Sequence, residues 1–596
     1  MSIFILMTVM FAAGGGVAGG LKWKAAAVAW ASFAITAAAG AYLALRHGVW
    51  PLILPVLGWL VVAYAWWAFV PRSTLPRNRV RRQNIRLRLR LHPGRGHATV
   101  VELHRHWGRL ASARKARYAL PTLTRAERVM CPGAHSVFLG RAQYRHAVRL
   151  PVEEHALVFA PPRTGKSSWL SSVILRYPGP VLNTTTRADI YKDTVRARAG
   201  LGRIDVFNPQ RVGGLASTMR WDPIRGCEDP SVAIRRADAF ASAVSSKGVE
   251  GGEFWADKCS SYLRALFFAA AYARTRGVML GLPDTARWAL TSTTREAEEI
   301  LVDAGAPDWA AALGELRGAA EKTAATIRMY MSLSLGFLMD PVLAQAVTPD
   351  PDDPGLDLDS FARSQATLYM IATGQGEKSP LAPLFAALTS EIHYTAGIVG
   401  SCNPSGRLTR PMLFGLDEVT QICPVDLPGW LADSGGKNVQ IIAVSHGLAQ
   451  LRKRWGDDAA QIVLDTVGSQ IVLPGIRDPK VLKDLSEASG DVSLREHGQH
   501  HNTQHPIMSP AMIRGLPDKH ALVLRGNRAP VVAKVHQVWG DRLYRKLKNT
   551  VIPGTHATAE RPVTVTDPVT AGQTPALEPA ATVAAASQFS WTAGAR

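Results

Sequence analysis

The sequence predicts an α/β protein: a parallel sheet interrupted by an all-helical insertion and preceded by membrane-spanning helices. Three observations predict it. Short apolar runs bounded by turn residues alternate with helix-length segments, the pattern of buried parallel strands. One run leads directly into a Gly-Lys-Ser loop and then a helical pattern. From Ser2 to Val70 the only charges are Lys22, Lys24 and Arg46.

Those three cations divide the N-terminal stretch into apolar runs at 3–20, 25–45 and 50–70. Each approaches the roughly 20 residues that cross a bilayer as a helix. The second and third read as a helical hairpin, with Trp30, Trp50, Trp66, Trp67 and Phe69 as interfacial aromatics. The first is rich in glycine and has no basic leader, so two or three spans are expected and a cleavable signal peptide is not. Cations cluster after Val70, which places everything beyond it on the cytoplasmic side.

The chain has 596 residues, room for roughly four folded units of about 150 residues each. Hydrophobic residues at 47% and charged residues at 19% exclude a disordered chain. Cys131, Cys227, Cys259, Cys402 and Cys423 lie far apart with no CxxC pair, which excludes a disulfide framework and a zinc knuckle. The net charge is +21, and residues 71–150 hold nineteen Lys and Arg against only Glu102 and Glu127. Such a block serves as a topology signal and a contact for anionic lipid, or as a direct contact for DNA. Ile85 to Leu91, "IRLRLRL", alternates as a strand with one arginine face.

The cytoplasmic chain follows a strand, loop, helix order from Ala156 to Phe159 through the loop to a helix from Ser167. Further strands are expected in 179–185, 204–209, 366–373, 411–418, 439–446, 469–475 and 520–526, with a helix at 383–395. Residues 222–341 hold Ala-, Leu- and Arg-rich stretches without a strand pattern, an all-helical insertion between nucleotide-binding parts 151–221 and 342–552. The tail from Pro553 is rich in Pro, Thr, Ala and Val, lacks periodicity and reads as disordered.

"APPRTGKS", Ala160 to Ser167, fits the phosphate loop except that Ala160 stands in place of the first glycine. Ala160, Pro161, Pro162, Arg163, Thr164, Gly165, Lys166, Ser167 and Ser168 are therefore the nucleotide-binding candidates. Gly165 lets backbone approach phosphate, Lys166 places a charge on the β and γ phosphates, and Ser167 offers Mg²⁺ a hydroxyl. "MLFGLDE" supplies the partner: an apolar strand ending in Asp417, the second Mg²⁺ ligand, with Glu418 as general base for the attacking water. Together these indicate hydrolysis of a nucleoside triphosphate. The next strand ends in "SHGLAQL", where Ser445, His446 or Gln450 stands in position to contact the γ-phosphate. Arg477, Arg452 and Arg454 are candidates for an arginine acting on a neighbouring subunit. "RWDP" (220–223) and "FWADKCSSYLRALFFAAA" (254–271) read as core, and the group His497, His500, His501 and His505 as a solvated loop rather than a metal site.

The ordered set "VFAPPRTGKSS", "WDP", "FWADKCSSYLRALF", "LFGLDEVTQI", "SHGLAQLRKRWG" and "MSPAMIRGLPDKHALVLRG" resembles the type IV secretion coupling proteins of the TraG/TraD class. The resemblance implies a RecA-like P-loop motor with an inserted all-α domain, ATP and Mg²⁺ as cofactors, and a homo-hexameric ring. It also implies a multi-pass protein of the bacterial inner membrane that recruits DNA with its relaxase, or an effector protein, to the membrane proteins of a secretion channel. The family commonly has a glutamine where this chain has His446, so only Gln450 carries over as a catalytic sensor. An FtsK-like DNA translocase is the alternative motor, and a docking receptor that binds nucleotide structurally is the alternative of another class.

Overall fold

The computed structural model describes residue 91 and residues 96–244, 252–291, 295–348, 355–374, 379–495 and 502–550. The apolar runs within 3–70, the alternating basic run at 85–90, His497, His500, His501 and the tail from 553 lie outside the described residues. Among the described residues no helix is long and apolar enough to cross a membrane.

Thirteen strands are described: β1 Ser136–Arg141, β2 Ala147–Pro151, β3 Ala156–Phe159, β4 Val181–Thr185, β5 Ile204–Phe207, β6 Thr367–Ile371, β7 Met412–Leu416, β8 Val439–Ser445, β9 Ser469–Val472, β10 Asp491–Arg495, β11 Asn502–Pro506, β12 His520–Leu524 and β13 Val531–Val535. The chain forms two units, one from the residues through Trp169 with Asp426–His536, the other from Leu170–Val425 with the residues from Gln537.

In the first unit the strand order is β2-β1-β13-β12-β9-β3-β8. β3 is parallel to both β8 and β9, while β12, β13, β1 and β2 continue the sheet antiparallel. The expected parallel pairing holds for β3, β8 and β9, and the antiparallel extension is a correction to it. The β1–β2 hairpin lies in the basic segment, where arginines interrupt the apolar runs that mark a buried strand. Val148 and Leu150 point inward, and Arg149 between them packs its guanidinium 5.6 Å from the Phe138 ring. Gly140 is required where β1 meets β13, because a Cβ there would run into the Lys534 carbonyl oxygen.

Both acids of the basic segment are used locally. Glu102 and Glu127 sit at the third position of short helices and bond back to the N–H groups of Thr99 and Thr124 in capping boxes. Beneath the sheet, Glu154 accepts from Arg525 at 2.5 Å and from Lys115. Burial pushes the Glu154 carboxyl upward, but the two cations more than offset it and hold it below its usual value. Arg525 also donates to the His106 carbonyl at 2.9 Å and lies 5.3 Å from the Trp107 ring, which fastens the helical segment 100–107 to the end of β12.

The second unit holds a four-stranded, wholly parallel sheet, β7-β4-β6-β5. The helix Asp189–Arg198 connects β4 to β5 and ends in Arg198, a fully buried guanidinium. It donates to Thr367 Oγ1 and to the carbonyls of Tyr177, Gly179 and Gln365 at 2.5–3.0 Å, so the starts of β4 and β6 are tied together. Burial pushes its pKa down to about 10. Between β5 and β6 the described residues form helices and turns, among them Pro230–Ser242, Gly252–Thr275, Leu282–Leu290 and Glu321–Leu335. Glu391, on the buried helix Ala382–Ser401, pairs with Arg235 and Arg236 and so anchors the first of these helices.

At the start of β3, His155 Nδ1 accepts the Ile441 N–H at 3.1 Å, while its buried Nε2 has no hydrogen-bond partner among the described residues. Burial pushes its pKa down to about 4, against the opposing pull of Glu154. Above pH 6.5 the ring is neutral in both states. Between 6.5 and about 4 the unfolded chain takes up a proton that the folded chain refuses, so stability falls across that window, by up to about 3 kcal/mol. Denaturant midpoints at pH 7 and pH 5 are expected to differ less for His155→Gln than for the parent; equal differences contradict this assignment.

Candidate functional site

In the first unit the loop that follows β3 leaves the sheet between its two parallel neighbours. Phe159 is in register with Ser445 on one side and Val472 on the other. The Ala160 N–H then donates to the Ser445 carbonyl at 2.9 Å, and the Leu473 N–H donates to the Phe159 carbonyl at 2.9 Å. Ala160 is buried and lies outside the left-handed region, so its Cβ costs nothing where the motif has its first glycine.

Pro161 and Pro162 carry no N–H and can shape the loop but cannot donate to an anion. Backbone N–H groups resume at Arg163. The Thr164 hydroxyl closes the loop on the Pro161 carbonyl at 2.8 Å. Arg163 with φ 65° and Gly165 with φ 90° flank Thr164, a handedness change that curls successive N–H groups toward one side. The helix Lys166–Ile174 starts there, with the Trp169 N–H on the Gly165 carbonyl. Arg163 in this conformation costs about 1 kcal/mol relative to glycine.

The tip of β8 is fixed by Gln450. Its Oε1 accepts both the Ser445 hydroxyl and the His446 N–H at 3.0 Å. His446 Nδ1 lies 3.0 Å from the Ala160 carbonyl, a contact that requires the proton on Nδ1. The tip of β8 is thus joined to the loop after β3 through His446, and Gln450 holds the backbone of that histidine. Gly475, in the turn after β9, would place a Cβ 3.8 Å from Pro161 and Thr164, so this turn stands against the loop. Of the arginine candidates, Arg452 pairs with Asp457 at 3.5 Å, Arg454 is pushed by burial to about 10, and Arg477 is exposed in the turn after β9.

In the second unit, β7 is buried along its whole length and delivers Asp417 and Glu418 at its carboxyl end. The Asp417 N–H donates to the Thr184 carbonyl at 3.0 Å, and Thr185 Oγ1 donates to Asp417 Oδ2 at 3.4 Å. Thr185, at the end of β4, is a site residue that motif reading missed; its only signal is the position of "NTT" at a strand end. Glu418 is 6% exposed and held at φ 55°, a left-handed non-glycine capping Val419–Ile422. Such strain is concentrated at functional positions.

A buried aspartate and a serine hydroxyl are hard oxygen donors that suit Mg²⁺. Among the described residues no cluster of three or more His, Cys, Asp or Glu could hold a metal by itself. Gln210 Oε1 accepts the Thr373 N–H and hydroxyl at 2.7 and 3.0 Å, joining the carboxyl ends of β5 and β6.

The core expectation holds for Trp221 and for Cys259, Leu263, Leu266 and Phe267, but not for Phe254, which is 54% exposed. His505 lies on β11, paired with Val492 of β10, so the loop reading is corrected there: β10 alternates polar residues with Val492 and Leu494 and β11 is polar, so the antiparallel pair carries no apolar run to announce it.

Residues 411–518 match the family model described as the TraM recognition site of TraD and TraG. No curated protein matches the chain. Among solved structures, the bacterial conjugative coupling protein TrwBdeltaN70 in a trigonal form with sulphate is 21% identical, with a TM-score of 0.50 over 64% of this chain and 86% of that one. Its unbound monoclinic form is 20% identical, with a TM-score of 0.50 over 67% of this chain and 88% of that one. The fold is shared with that coupling protein, and with the 411–518 match it supports the coupling-protein resemblance carried by the motifs.

Ala160→Gly is expected to leave nucleotide affinity within about twofold of the parent, because Ala160 is unstrained. Gly165→Ala, at φ 90°, is expected to lose about 1 kcal/mol or more of stability and most nucleotide binding. Titration with a fluorescent nucleotide and thermal unfolding check both; equal effects of the two substitutions contradict this loop geometry.

Proposed function

We propose that this chain, a type IV coupling protein by its 411–518 match and its fold, is the membrane-anchored ATPase that brings DNA with its relaxase, or a protein substrate, to a secretion or conjugation channel and drives transfer by ATP hydrolysis. The observation that carries this reading is the phosphate loop at the end of β3, with two left-handed residues turning its N–H groups into a cradle at the start of a helix.

Each residue then has a task. The N–H groups of Arg163 to Ser168 hold phosphate oxygens, and Lys166 adds a point charge at the β and γ phosphates. The sequence motifs assign Ser167 and Asp417 to Mg²⁺, which supplies charge neutralisation on the phosphates when bound. Glu418, buried beside Asp417, orients the attacking water and accepts its proton. The His446–Ala160 contact gives the loop's state a route to β8, with Gln450 as the residue that positions it. The family's arrangement extends the proposal to a homo-hexamer in the bacterial inner membrane, its motor facing the cytoplasm and its partners the channel's membrane proteins. The TraM recognition match supports a relaxosome protein as one partner.

Hydrolysis by the full-length chain in detergent or lipid nanodiscs tests the proposal. ATP turnover that rises with added DNA, and that falls about a hundredfold or more in Lys166→Ala and in Glu418→Gln, is the expected outcome. An oligomeric chain that binds ATP but shows no turnover with or without DNA would make it a docking receptor instead.

A further inference from the structure

The phosphate loop holds one side chain that its own geometry does not use. Arg163 occupies the third position of the turn that begins at Pro161, with φ 65°, where glycine or asparagine is the ordinary occupant. Pro162 before it is the preferred second residue of such a turn, so the strain is confined to Arg163. Strain of this kind persists where another interaction offsets it. The turn itself is held by Pro162 and by the Thr164 hydroxyl on the Pro161 carbonyl, but the Arg163 side chain is exposed and, among the described residues, makes no hydrogen bond, ion pair or ring contact.

Position narrows what the missing partner is. Arg163 lies three residues before Lys166 on the rim of the N–H cradle. The adjoining turn after β9, which meets Pro161 and Thr164, contributes the exposed Arg477, also without a partner among the described residues. No carboxylate among the described residues pairs with either guanidinium, so this rim presents open cationic forks beside a phosphate-binding loop. A planar fork of donors matches two oxygens of one phosphate group.

We propose that the Arg163 guanidinium binds the terminal phosphate of the nucleoside triphosphate held by this loop, and so makes the protein favour triphosphate over diphosphate. The inference rests on the loop's role in nucleotide binding. Glycine at this position would remove the strain and the contact together, which separates stability from recognition.

The test measures, on the full-length chain in detergent with Mg²⁺, the Kd of a non-hydrolysable ATP analogue, the Kd of ADP, and the unfolding temperature without nucleotide. Arg163→Gly is expected to keep or raise the unfolding temperature, weaken the triphosphate analogue about tenfold or more, and leave ADP within about twofold. Arg163→Lys, which keeps the charge and loses the fork, is expected to fall between the parent and the glycine variant. A triphosphate Kd unchanged in Arg163→Gly overturns the proposal, as does an equal weakening of triphosphate and diphosphate. If the parent binds neither nucleotide, or Lys166→Ala binds both as the parent does, the reading of the loop itself fails and takes this inference with it.

Discussion

The position of β3 between β8 and β9 is the constraint on which the site in the first unit depends. A parallel strand paired on both sides can change register only by breaking both of its ladders at once. Ala156 to Phe159 are all buried, so the register is fixed by burial as well as by the ladder. The hydrogen bonds from Ala160 to Ser445 and from Leu473 to Phe159 extend the ladder by one step on each side. They bring the phosphate loop, the β8 tip and the turn at Gly475 to the same end of the sheet. That is the carboxyl end, where open α/β sheets bind ligands.

Of the six left-handed non-glycine positions among the described residues, two carry proposed chemistry. Arg163 and Glu418 are left-handed without being glycine. Gly165 takes a similar conformation at no steric cost, so the comparison within one loop shows what strain Arg163 adds. Glu418 is held by its neighbours' bonds: its carbonyl accepts the N–H groups of Gln421 and Ile422 at 2.9 and 3.2 Å. The short helix therefore fixes the carboxylate's backbone rather than leaving it to a loose strand end.

Much of the fold was legible because buried parallel strands leave uninterrupted apolar runs. β3 to β9 all fall within segments marked by such runs, and the phosphate loop and the Asp417–Glu418 pair are visible as motifs at their ends. Of the antiparallel strands β12 was legible too, within 520–526, and the others were not. β1 and β2 carry Arg141 and Arg149 on their outward face, β13 carries Lys534, and β10 and β11 are largely polar, so each looks like a surface segment until pairing is known. Of the site, the residue types were legible and the conformations were not. No pattern in "APPRTGKS" reveals that Ala160 is unstrained and Arg163 strained, and Gln450 reads as a possible phosphate contact until its Oε1 is seen to accept from Ser445 and His446.

A nucleotide motor built on this sheet requires Arg163 to Ser168 to form its phosphate cradle. Hydrogen exchange at the backbone of the full-length chain, with and without a non-hydrolysable ATP analogue and Mg²⁺, tests that requirement most directly. Slowed exchange at the amides of residues 163–168, with unchanged exchange in the β10–β11 hairpin, is the expected result. Unchanged exchange at 163–168 under saturating nucleotide would contradict it.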